Sequence, residues 1–127
     1  MENKTINLGK LGTLELDYPG LAPCLEFVTI WATANNNPAI LARVSAGAIG
    51  LCIDHHAKLP KYRPAIHKPG EYGHICLERL LEYGVPSSKI YEAGTICLLA
   101  MSERLPQEEE LEETMDFLEQ SQENTKG

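Results

Sequence analysis

The sequence predicts a mainly α fold, a compact bundle of about five helices preceded by a short N-terminal β-hairpin. Three observations carry that prediction. Five segments beyond residue 20 place apolar residues at the 3.6-residue period of a helix, whereas residues 5–18 alternate with a period of two. Proline, glycine or asparagine stands at the junctions between these segments. Finally, the run 37–54 (NPAILARVSAGAIGLCID) holds a single charge, Arg43, between Pro38 and Ile53. A helix that is apolar all round belongs in a protein core or a membrane, and this one falls short of the roughly 20 apolar residues of a bilayer span. It is therefore expected to be the hub of the bundle.

The 127 residues, 43% apolar and 23% charged, fit one globular domain large enough to bury a core without staples. Within it the expected organisation is a helical body with its hairpin over 1–106, an acidic amphipathic helix over 107–120 and a disordered tail over 121–127. The net charge of −7 comes entirely from the last part. Residues 107–127 carry eight acids against Lys126 alone, while the first 106 residues hold ten acids and ten bases. An acidic segment appended to a neutral body repels nucleic acid and seeks basic partners.

Residues 5–18 (TINLGKLGTLELDY) alternate at Ile6 and Leu8 and again at Leu14, Leu16 and Tyr18, with Gly9 and Gly12 between, which reads as a hairpin. A lone hairpin is marginal in water, so its apolar face must lie on the helices or pair with another chain's strand. The first helix begins near Pro23, carries Leu21, Cys24, Leu25, Val28 and Trp31 at helical spacing, and ends at the asparagines 35–37.

Asn37 before Pro38 is then an N-cap followed by a proline whose missing N–H is not needed there. On the central helix Ile40, Leu41, Val44, Ala48, Leu51 and Cys52 form one face and Ala42, Ala46, Ile49 and Ile53 a second. Both need partners. Gly47 and Gly50 each cost roughly 1 kcal/mol of helix propensity, so another backbone is expected to pack closely there.

Residues 55–69 (HHAKLPKYRPAIHKP) break the pattern with three prolines, three histidines and four Lys or Arg, an extended basic connector. Helix resumes at Glu71 with Tyr72, Cys76, Leu80 and Tyr83 on one face, and Gly84 stands where a left-handed C′ residue belongs. Pro86, Ser87 and Ser88 open the next helix, whose face is Ile90, Ala93, Gly94, Cys97, Leu98, Met101 and Leu105, closed by Pro106. In the final helix Leu111, Met115 and Leu118 form a narrow stripe with Phe117 beside it, and its acids crowd the positive end of its own dipole.

The histidines and cysteines are the candidates for chemistry. Asp54, His55, His56, His67, His74, Cys52 and Cys76 supply zinc-ligand types, but in no established zinc spacing, and His55 and His56 with Lys58 read more simply as cations at a helix C-terminus. His74 and Cys76 are the one near thiol–base pair, and residues two apart on a helix face different directions. No GxSxG, Walker A, GxGxxG or HExxH motif occurs. Lys58, Lys61, Arg63 and Lys68 around Tyr62 form a small nucleic-acid footprint, opposed by the acidic end. Cys24, Cys52, Cys76 and Cys97 lie in apolar segments without CxxC spacing, and the opening MENKTINLGK shows no signal-peptide run, so buried thiols in a reducing cytoplasm are expected.

What remains is a compact helical body with an opening hairpin, the run GVPSSKIYEAG and the acidic end QEEELEETMDFLEQ. In that layout the chain resembles the small acidic accessory proteins of bacteriophage morphogenesis, such as tail-assembly chaperones and other virion-assembly factors. The resemblance implies a protein without catalysis that shields or joins hydrophobic surfaces of another protein, and a virion-associated location if the chain is phage-encoded. It assigns no individual residue.

The sequence is therefore expected to encode a non-enzymatic interaction or assembly factor without cofactor or metal. The expected partner is another protein or a second copy of this chain, with no membrane and no nucleic acid. The residues expected to meet that partner are Leu111, Met115, Phe117, Leu118, Lys58, Lys61 and Arg63. The alternatives are a small metal- or thiol-dependent enzyme using the His/Cys cluster, and a nucleic-acid accessory protein acting through the connector.

Overall fold

The computed structural model describes residues 5–17, 19–53 and 59–105. Strands β1 (Thr5–Asn7) and β2 (Thr13–Glu15) pair antiparallel in the register Thr5↔Glu15, Ile6↔Leu14 and Asn7↔Thr13. Helices α1 (Leu21–Ala32), α2 (Pro38–Cys52), α3 (Pro69–Glu82) and α4 (Ser87–Glu103) follow. The described residues thus form four helices and a hairpin, where about five helices were expected; the fifth, over 107–120, lies outside them.

The hairpin's apolar side lies on the protein's own helices. Ile6 and Leu8 are fully buried, β1 packs on α4, and the Asp17 N–H donates to the Cys52 carbonyl at the end of α2 over 2.6 Å. That bond satisfies a carbonyl that the helix terminus leaves without an intrahelical partner.

Helix α2 is the hub. Every residue from Val44 to Ile53 is buried, enclosed by α3, α4 and α1. The start of α2 is fixed by Asn37, whose Oδ1 accepts from the N–H groups of Ala39 (3.0 Å) and Ile40 (3.3 Å). Just before it, Asn35 and Asn36 adopt left-handed φ values of 52° and 60°, which turns the chain sharply between α1 and α2.

Its glycines mark close helix approaches, though not all of the expected kind. A Cβ on Gly47 would meet the Phe27 ring at 2.5 Å and the Gly73 Cα at 3.2 Å, so a neighbouring backbone does pack there. At Gly50 the neighbours are side chains instead, Tyr72 Oη at 2.5 Å and Cys76 Sγ at 2.6 Å.

Helix α3 begins at Pro69, two residues before the expected Glu71, because proline fits the first helical position. It ends in a Schellman motif: the Gly84 N–H bonds the Leu81 carbonyl, the Val85 N–H bonds the Leu80 carbonyl, and Gly84 takes φ 80°. Val85 and Leu80, the apolar pair of that motif, are both buried. On α4 the expected face is inside, with Ile90, Ala93, Gly94, Cys97, Leu98 and Met101 buried and Leu105 partly so. No helix among the described residues is long and apolar enough to cross a membrane.

Candidate functional site

Helix α1 (LAPCLEFVTIWA) has one charged residue, Glu26, and more apolar side chains than a single buried face accommodates. It buries Cys24 and Phe27 and leaves apolar residues on both flanks. On one flank Leu21 is 58% exposed and Leu25 44% exposed, with Val28 half-buried behind them, an i, i+4, i+7 stripe. Ile30 lies nine positions after Leu21, which at about 100° per residue puts it on the opposite flank.

There Phe27 and Ile30 face Ile40, Arg43 and Val44 of α2 and Pro69 and Gly70 of α3 across a cleft of about 190 Å³. The lining is apolar except for Arg43, which is exposed. Arg43 and Gly70 also border a shallower trough that continues over Glu71, His74 and Ile75. Helices α2 and α3 approach closely at Gly73 and Arg43, and the start of α3 contributes Pro69 and Gly70 to the lining.

An aromatic cluster holds the connector 59–68 beside this cleft. The Phe27 ring meets Tyr62 edge-on at 5.6 Å and Tyr72 at 6.3 Å, Tyr62 and Tyr72 lie 5.0 Å apart, and His67 stacks on Tyr62 at 6.1 Å. The polar ends of these rings are hydrogen-bonded. Tyr72 Oη donates to the Pro60 carbonyl (2.7 Å), Tyr62 Oη donates to Glu26 Oε2 (3.1 Å), and the Arg63 N–H donates to His67 Nδ1 (3.0 Å). Burial, and secondarily the bond to Glu26, pushes the Tyr62 hydroxyl up to about 12.

Lys61, Arg63 and Lys68 remain exposed on this connector. Tyr62 does not: the ring that a nucleic-acid footprint would use for base stacking is buried against Phe27 and Tyr72. Lys58, His55 and His56 of the connector, and the expected partner-binding residues Leu111, Met115, Phe117 and Leu118, lie outside the described residues.

The four cysteines are free and buried. Burial pushes the Cys76 thiol up to about 12, while contact with Cys52 and burial together push Cys97 up, and burial raises Cys24. Each shift disfavours the thiolate that a nucleophile or a metal ligand requires. His74 points outward to Glu78 at 3.0 Å while Cys76 is fully buried, so this pair diverges as helical geometry dictates. Among the described residues no three His, Cys, Asp or Glu side chains gather in a way that could hold a metal ion.

Sequence reasoning did not single out Phe27, Ile30, Pro69 or Gly70. The signal was present in α1, whose apolar excess beyond one face meant that some of it had to line a surface. Which neighbours would complete that surface depended on helix packing. Compared with known proteins, the chain matches no family model, no curated protein and no solved structure.

Proposed function

We propose that this protein is a non-enzymatic interaction or assembly factor that takes an apolar side chain of an acidic partner segment into the cleft between α1, α2 and α3. The observation that carries this reading is the cleft itself, with an apolar floor of Phe27, Ile30, Ile40 and Val44 and a single guanidinium, Arg43, on its rim. Apolar pockets that bury one anchoring side chain supply most of the energy of small interfaces, and a rim charge selects and steers the partner. Lys68 directly precedes Pro69 of the lining, and Lys61 and Arg63 are exposed on the connector that leads to it.

In this role the protein shields or joins hydrophobic surfaces of other proteins, as virion-assembly accessory proteins do. Its four unpaired cysteines suit a reducing compartment such as a cytoplasm.

The test uses a fluorescently labelled peptide of alternating Glu and Phe as the probe. Saturable binding to the full chain is expected, weakened by about tenfold or more, roughly 1.4 kcal/mol, in both Ile40→Asp and Arg43→Ala. No saturable binding, or binding that ignores both substitutions, overturns the reading.

A further inference from the structure

The cleft and the shallower trough beside it meet at two residues, Arg43 and Gly70, which border both. Their linings differ in charge. The cleft is apolar beyond this boundary, whereas the trough carries Glu71 and His74, and His74 Nε2 lies 3.0 Å from Glu78 Oε1. Among the described residues that line the two, Arg43 is the only lysine or arginine. The boundary is also open. Nothing lies within 4 Å of a Cβ built on Gly70, and no described side chain caps the first turn of α3 there, so the positive end of that helix's dipole adds to the guanidinium.

The volume of the cleft limits what enters it. A cavity of about 150 Å³ holds a benzene ring, so the cleft of about 190 Å³ takes one side chain the size of leucine or phenylalanine and not two. Pockets that enclose a free small molecule start at roughly 300 Å³, which makes this cleft a seat for one anchoring side chain. The anion that meets Arg43 must then lie close to the backbone of the residue so anchored. In an internal segment it is the carboxylate of a neighbouring Asp or Glu, which has to be immobilised through its own rotatable bonds. Such a segment also needs a second exit for its chain, and the trough that leads from the boundary runs past Glu71 and the His74–Glu78 pair. A C-terminal residue avoids both costs, because its α-carboxylate sits on the same Cα as the anchoring side chain and no chain continues beyond it.

We propose that the partner residue taken by the cleft is the C-terminal residue of its chain, an apolar one whose side chain fills the cleft while its α-carboxylate pairs with the Arg43 guanidinium. This rests on the cleft being the docking site and specifies which part of the partner it takes. A guanidinium meets a carboxylate through two parallel N–H bonds, and capture of a chain terminus is a recurrent mode of peptide recognition. The trough carboxylates act against a chain that runs on with further acidic residues.

Two labelled peptides of Gly and Ser ending in Phe, identical except that one ends in a free carboxylate and the other in an amide, test the assignment against the full chain. The free acid is expected to bind at least about tenfold more tightly than the amide. In Arg43→Ala the two should bind alike, at the affinity of the amide, whereas Ile40→Asp should weaken both. Arg43 is exposed and Ile40 half-buried, and thermal melts confirm that each variant folds. Phenylpropanoate, which carries the ring and the carboxylate without the peptide, should compete less well than the unlabelled free-acid peptide. Equal binding of acid and amide, or failure of both while the Glu/Phe peptide binds, overturns the inference and leaves the cleft as a docking site. Failure of all three peptides removes the docking site as well. Competition by phenylpropanoate as strong as by the peptide means that a free acid is the ligand, which also overturns the inference.

Discussion

The Cα of Gly73 on α3 faces the backbone carbonyl of Arg43 on α2, so closely that a Cβ there would overlap the carbonyl oxygen and come within 2.8 Å of its carbon. The same relationship recurs between α4 and α2, where a Cβ on Gly94 would come within 2.6 Å of the Ser45 Cα. These two contacts let both outer helices sit directly on the hub.

Gly73→Ala and Gly94→Ala should therefore destabilise the protein, although alanine favours a helix by roughly 1 kcal/mol. Overpacking against backbone costs about 1–3 kcal/mol and exceeds that gain. Gly70 is the internal control, since nothing lies within 4 Å of a Cβ built there. Gly70→Ala should be neutral or stabilising by up to roughly 1 kcal/mol. Urea unfolding of the three variants reads the contrast, and three equal midpoints would contradict it.

The Asn37 cap makes a local prediction. Its Oδ1 serves two N–H groups at the start of α2, so Asn37→Ala should cost about 1 kcal/mol, while Asn37→Asp should retain most of the stability. Thermal denaturation separates the two, and equal losses would show that the side-chain oxygen is not the source.

Tyr72 joins α3 to the connector through its bond to the Pro60 carbonyl. Removing the hydroxyl in Tyr72→Phe leaves the ring in place and should cost about 1 kcal/mol, because it removes the hydroxyl donor from a part-buried carbonyl. Amide exchange in residues 59–68 should quicken at the same time. Unchanged exchange there would mean that the connector is held by the rings alone.

Alkaline pH should unfold the protein in a defined window. Cys76 is raised from 9.0 to about 12, and Tyr62 from 10.0 to about 12, both chiefly by burial. The folded state thus holds these protons more tightly than the unfolded chain, so stability is intact below about pH 9 and falls as pH rises toward 12. Urea midpoints measured between about pH 8 and about pH 11 should decline. A flat profile would show that these groups ionise without cost in the folded state.

The sequence revealed the helices more fully than the surfaces between them. The lack of charge announced the burial of residues 44–53 but misled over the start of the same run, where Pro38, Ala39 and Arg43 are exposed, and Asn37, Pro38, Gly84 and Pro86 marked helix ends because their backbone preferences act locally. The inward face of α4 followed from periodicity alone. The cleft was harder to read, since Ile40, Arg43 and Pro69 come together only through the approach of α2 and α3 at Gly73. Tyr62 was misleading for a related reason. A tyrosine among Lys61 and Arg63 reads as exposed, yet Phe27, Tyr72 and Glu26, distant in sequence, draw it into the core.

The most direct test of the cleft as a docking site is methyl-resolved NMR of the full chain titrated with the Glu/Phe peptide. The predicted result is saturable shifts at the methyls of Ile30 and Ile40, which line the cleft, with the methyls of Leu21 and Leu25 unmoved because they lie on the other flank of α1. Shifts confined to Leu21 and Leu25, or no shift at any methyl, would contradict the account.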